Sequence, residues 1–187
     1  IACDISVMKF DPTGSLALYA TYLGGSGDEQ PHSLIVDSRG NLVIAGRTTS
    51  PNFPTTIGNY GPGGGFDIFL AKFSADGRTL LASRKFGGTG ADGVNIAPKY
   101  VTEGISTTRR NYVDDARSEV LTDDLDNIYL ASCTQSGDFL TSPNAFKSKI
   151  SGNQDGVFIK VSTDLSTVDM CTLLGGKGND AAFVLSI

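Results

Sequence analysis

Tryptophan is absent and histidine occurs once, at position 32. A lone imidazole leaves one side chain whose ordinary pKa lies near neutrality, so chemistry that passes protons between two histidines is excluded. Charge is scarce at 19% of the residues, and 15 Lys and Arg face 20 Asp and Glu, for a net charge of -5. Nucleic-acid binding draws on clustered cations to displace counterions, and Arg109–Arg110 is the only such cluster, so no nucleic-acid partner is expected. No apolar run approaches the roughly 20 residues that a helix needs to cross a bilayer, so no membrane span is expected. The start, Ile1-Ala2-Cys3-Asp4, has neither an initiator Met nor a signal peptide, and reads as a mature or excised piece. Three cysteines, Cys3, Cys133 and Cys171, are too few and too far apart for a disulfide framework or a zinc site. They read as buried or idle thiols. There is no Asn-x-Ser/Thr acceptor for an N-linked glycan.

What is abundant is glycine, 23 residues in 187, within a chain that is 40% apolar and so able to build a core. Sliding the chain along itself shows why. DISVMKF at 4–10 returns as DIFLAKF at 67–73 and as DGVFIKV at 155–161. A Gly-Gly pair begins 20 positions after each leading Asp, at Gly24, Gly87 and Gly175. Asp37, Asn41, Phe53 and Tyr60 recur 86 positions later as Asp123, Asn127, Phe139 and Phe146. Three units follow: residues 4–66, residues 67–154 with an insertion near 91–113, and residues 155–187, which hold half a unit.

Apolar segments at roughly ten-residue intervals, separated by turn residues, predict four strands per unit. In the first unit these are Ile5–Phe10, Leu16–Leu23, Ser33–Val36 and Leu42–Thr48. Between them DPTG at 11–14 and DSRGN at 37–41 offer the Gly and Asn that accept positive φ in hairpin turns. The expectation is that the four strands of one unit form one antiparallel sheet. Apolar residues occupy both faces of a strand such as Ile68–Phe73, so each sheet must be covered on both sides. Radial stacking of four-stranded blades satisfies that, and the expected fold is all-β: a β-propeller with about two and a half blades present and the ring incomplete. The remaining blades are then expected from the parent chain or from other copies.

LGGSGD at 23–28, DSRGN at 37–41 and FPTT at 53–56 resemble the SBBP-type bacterial β-propeller repeat. Leu165 stands where that pattern has its turn glycine, and Phe139-Leu-Thr-Ser142 stands for FPTT. The resemblance implies a secreted or cell-surface bacterial protein, on the extracellular side of an outer membrane, whose propeller serves as scaffold, adhesin-like element or surface-filament component. It carries over no catalytic residue.

Few residues suggest chemistry. GGTGAD at 87–92 and GGKGND at 175–180 fit the glycine-aspartate pattern of calcium-binding β-rolls, but lack the tandem nine-residue copies that let successive turns share an ion. The favoured reading is a tight turn whose carboxylate accepts backbone N–H groups, with no cofactor expected and calcium as the alternative. DDLDN at 123–127 lacks the Gly and distal Glu of a calcium loop and aligns with the turn at 37–41. His32 aligns with Ser118 and Phe183 and has no recurrent nucleophile beside it. The insertion carries Lys99, Tyr100, Arg109, Arg110 and Tyr112, residue types enriched at protein contacts, and is the candidate interaction loop for a protein or glycan. The expected function is non-catalytic. The alternative is part of a propeller enzyme acting on polysaccharide, with its active site outside this segment.

Overall fold

The structure, a computed structural model, describes residues 2–95 and 117–187. Among these it contains ten strands and no helix: β1 Ile5–Phe10, β2 Ala17–Leu23, β3 Glu29–Val36, β4 Leu42–Thr48, β5 Asp67–Phe73, β6 Leu80–Phe86, β7 Glu119–Thr122, β8 Ile128–Thr134, β9 Asp155–Val161 and β10 Val168–Leu174. They form a two-stranded sheet β1-β2 and two four-stranded antiparallel sheets, β3-β4-β5-β6 and β7-β8-β9-β10. These are propeller blades, as the repeat predicts.

The phase differs from the sequence expectation. The four strands of residues 4–66 do not make one sheet, because β1-β2 stand apart and β3-β4 pair with β5-β6 of the next unit. Each blade therefore takes the last two strands of one unit and the first two of the next. The break falls at the Gly24–Asp28 connection, where the chain crosses from one sheet to the following one instead of closing a hairpin. There Gly25 and Gly27 lie against Ser50 and Thr49, so closely that an added Cβ would sit within 2.7 Å of the Ser50 side chain and 2.5 Å of the Thr49 hydroxyl. Only glycine permits that approach.

The first strands of successive blades, β3 and β7, lie side by side. Pro31 fits on β3 because that strand hydrogen-bonds only to β4, so a missing N–H leaves no gap in a ladder.

The central blade is apolar on both faces. Val43, Ala45, Ile68 and Leu70 pack with Ile128, Leu130, Val157 and Ile159 of the following blade. Their alternates, Leu42, Ile44, Phe69, Ala71 and Phe73, pack with Ile5, Val7 and Leu23 of the half sheet. Every residue of β4 and β5 is buried, the outcome expected for a strand covered on both sides.

The turns keep one geometry through changes of residue. Gly14, Gly77 and Leu165 occupy equivalent positions with φ of 71°, 69° and 61°. Leu165 tolerates the left-handed conformation because its side chain is fully buried in the core. Burying a leucine is worth about 1.5–3 kcal/mol, against roughly 1–2 kcal/mol of left-handed strain. Asp126, with φ of 60°, likewise stands where Gly40 does in the earlier unit.

Candidate functional site: blade junctions and the open face

The recurring Asp and Gly-Gly are explained by contact. An added Cβ at Gly24, Gly87 or Gly175 would lie 2.1, 2.1 or 2.2 Å from Oδ1 of Asp4, Asp67 or Asp155, so each carboxylate occupies the space a side chain would take. Asp67 Oδ2 accepts from Lys85 Nζ at 2.8 Å and Asp67 Oδ1 from the Gly64 amide at 3.1 Å. Asp155 Oδ2 accepts from Lys147 Nζ at 2.6 Å and from the Ser151 amide at 3.0 Å. The two lysines come from different places, Lys85 from β6 and Lys147 from the β8–β9 connection, yet balance equivalent charges.

A second carboxylate begins each new blade. Glu29 accepts from Thr48 Oγ1 at 2.5 Å, Ser50 Oγ at 2.6 Å and the Gly25 amide at 3.0 Å. Its equivalent Asp92 accepts from Thr134 Oγ1, from Ser136 Oγ at 2.9 Å and from the Gly88 amide at 2.8 Å. Asp180, the third, accepts from the Gly176 amide at 2.7 Å. The glycine-aspartate turns thus aim their carboxylates at hydroxyl and amide donors. Burial pushes the Asp92 carboxyl up to about 6, against the lowering effect of those donors. Among the described residues, no three of His, Cys, Asp and Glu stand close enough together to hold a metal ion.

On the turn side, Lys72 reaches Asp37 Oδ2 at 2.8 Å and the Thr163 carbonyl at 3.0 Å, tying the central blade to the next. Ser38 donates its amide and hydroxyl to Asp126, at 2.9 and 2.7 Å, between the β3–β4 and β7–β8 turns. Burial acts to raise the Asp37 carboxyl, but hydrogen bonds from Lys72 and Asn41 outweigh it and hold the group at about 2. Asp123 accepts the Leu125 and Asn127 amides at 3.0 and 2.9 Å, a hairpin turn as its alignment implies.

His32 and Ser118, aligned in the repeat, meet across the blade boundary with Nδ1 and Oγ 2.9 Å apart, and Ser118 Oγ lies 2.8 Å from Ser132 Oγ. Burial, reinforced by Arg47, lowers the imidazole to about 3, so it is neutral and a weak base. Its Nε2 is buried without a hydrogen-bond partner among the described residues. Among the described residues, no third group of the kind that orients a catalytic imidazole stands at Nε2. Cys133 and Cys171 are buried free thiols, raised by burial to about 12, while Cys3 is exposed.

Lys99, Tyr100, Arg109, Arg110 and Tyr112 lie outside the described residues. The residues that lead into the insertion are described. Asp92 bridges Thr134 as Glu29 pairs with Thr48, and Ala91 bridges Phe66 and accepts from the Gln135 amide, so Ala91 and Asp92 belong to the blade. With Asp92 equivalent to Glu29 and Ser118 to His32, the extra residues of the second unit fall between positions 92 and 118 in sequence. β7 has four residues where β3 has eight.

The half sheet leaves exposed some apolar residues whose repeat equivalents are buried. Phe10 is 51% exposed where its equivalent Phe73 is 5% exposed, and Leu34 is 66% exposed where Val120 is 2% exposed. Between β1 and β3-β4 lies a groove of about 330 Å³ lined by Ile5, Val7, Met8, Leu34, Val36 and Ile44, among others. The sequence signal missed at the junctions was present: Thr48-x-Ser50 recurs as Thr134-x-Ser136, and Glu29 as Asp92 and Asp180. What hid it is that the Thr-x-Ser donors lie 19 and 21 residues away in sequence from the first acid and 42 and 44 from the second.

Comparison with known proteins agrees with this architecture. No curated protein matches the chain. Residues 18–54, from β2 through β3 and β4 to the buried Phe53, match the family model described as the SBBP beta-propeller repeat. The chain carries an SBBP β-propeller repeat.

Proposed function

We propose that the chain is a non-catalytic propeller module that acts as scaffold or interaction surface, adhesin-like or part of a surface filament, outside a bacterial cell. The location is taken from the resemblance of the repeat. The observation that carries the non-catalytic part is the use of polar groups: Glu29, Asp92, Asp67, Asp155 and Lys72 are each engaged in joining strands or blades. His32, the one histidine, is held neutral between blades. The insertion is the display element for a protein or glycan, and the reading assigns no cofactor.

A variant lacking residues 95–117 restores the spacing of the first unit and tests this. It should fold, with unchanged Asp92 contacts, and lose glycan-array or cell-attachment binding shown by the full chain. Full binding without those residues would remove the loop from the function. Turnover of a polysaccharide, abolished by a change within this chain, would overturn the non-catalytic reading. A calcium titration should leave the unfolding midpoint unmoved.

A further inference from the structure

Two like junctions lie along the chain: the β5–β6 turn docks on β1-β2, and the β9–β10 turn docks on β5-β6. They share an anchor. Lys9 Nζ donates to the Ala75 carbonyl at 3.4 Å, and its repeat equivalent Lys72 donates to the Thr163 carbonyl, the equivalent of Ala75, at 3.0 Å. Because the acceptor is backbone, this bond suits either turn and selects neither.

The side chains beside the anchor do differ. At the first junction Tyr19 of β2 lies on Gly77, where an added Cβ would come within 2.4 Å of the ring carbon Cδ2 and 2.5 Å of Cγ. At the second, Ala82 stands for Tyr19 and Leu165 for Gly77, and both are buried in one apolar cluster. Arg84, two residues beyond Ala82, donates to the Leu165 carbonyl at 3.0 Å and so holds that turn against β6. The bulky side chain thus comes from the strand at one junction and from the turn at the next. Backbone conformation does not explain the exchange, since Gly77 and Leu165 have φ of 69° and 61° and the leucine is accommodated. Space does: protein interiors are packed as densely as organic crystals, so the turn can place a side chain there only where the strand leaves room.

We infer that the pairs Tyr19 with Gly77 and Ala82 with Leu165 determine which turn each sheet accepts, and so fix the order of the blades. Wrong neighbours fail in opposite ways. The β9–β10 turn set on β1-β2 would drive a leucine into the Tyr19 ring, and a second copy's β5–β6 turn set on β5-β6 would leave a void beside Ala82. The pairs therefore select against docking out of order, both within a chain and between copies of it.

The test rearranges these residues without changing composition. A variant with Gly77→Leu and Leu165→Gly carries both mismatches, and its folded-to-unfolded ratio in urea should fall by about tenfold or more. Adding Tyr19→Ala and Ala82→Tyr exchanges the pairs whole, and should return the ratio to within about threefold of the native chain. If the four-residue variant folds no better than the two-residue one, the inference is overturned. The first junction is isolated by measuring Gly77→Leu with and without Tyr19→Ala. The leucine should cost about tenfold more with Tyr19 in place than with it removed. An equal cost in both backgrounds would assign Gly77 to its positive φ alone and would also overturn the inference.

Discussion

β1, with the Asp4 before it, and β5 carry related sequences, DISVMKF and DIFLAKF, identical at four of seven positions, in different surroundings. β5 lies inside a four-stranded sheet covered on both faces, and all seven of its residues are buried. β1 lies in a half sheet and buries only Ile5 and Val7. The difference teaches that the pattern states what each strand can bury, while its neighbours decide what it does bury. Apolar area yields roughly 25 cal/mol per Å² only where water is removed from it.

The largest break in this pairing should come from the core. Phe69→Ala is expected to cost about 3–5 kcal/mol, as for other large-to-small changes at fully buried aromatics, because Phe69 is fully buried against Phe53. Phe10→Ala on β1 should stay within about 1 kcal/mol. Urea unfolding of the two variants measures both, and equal costs would mean that β1 is covered in solution.

The lysines sharpen the same contrast. Lys72→Ala leaves the Asp37 carboxylate buried without its partner and should cost about 3 kcal/mol. Lys9→Ala should be neutral in the same denaturant series, since Lys9 is exposed and has no acid beside it among the described residues.

At the junction between the two complete blades, pH separates two groups that oppose each other. His32 has its folded pKa depressed from 6.5 to about 3, so the unfolded chain binds the extra proton and stability falls as pH drops below 6.5. Asp92 has its folded pKa raised from 3.8 to about 6, so the folded chain binds the extra proton and stability rises as pH drops from 6 toward 4. Each contributes about 1.4 kcal/mol per pH unit inside its window. Between pH 6 and 4 they nearly cancel. His32→Gln should therefore gain stability on acidification over that range and Asp92→Asn should lose it. Thermal unfolding across the range would show parallel curves if neither group titrates as placed.

A small effect is also expected at Leu165. Leu165→Gly relieves the left-handed strain but gives up the burial, and should destabilise by about 1 kcal/mol. A stabilised variant would mean that the turn geometry, not the packing, dominates there.

Much of this was legible in the chain. The strand positions, the turns at 37–41 and 123–127, and the two apolar faces were all readable, because each depends on residues within a few positions of one another. The third strand was the least well placed, beginning at Glu29 rather than Ser33, since Pro31 and His32 obscure its alternation. The blade phase was not legible, because a repeat looks the same wherever counting starts. The equivalence of Asp92 and Glu29 was hidden for a related reason: they match by their bonds to Thr and Ser hydroxyls, not by residue identity.

The sequence by itself determined the period, the strands, the glycines and the need for covered faces. Only the tertiary structure decided which strands share a sheet, that His32 meets Ser118, and which carboxylate finds which donor. The physical reason is range: turn chemistry and strand alternation act along the chain, whereas burial, desolvation and hydrogen-bond partners are set by residues that folding brings together.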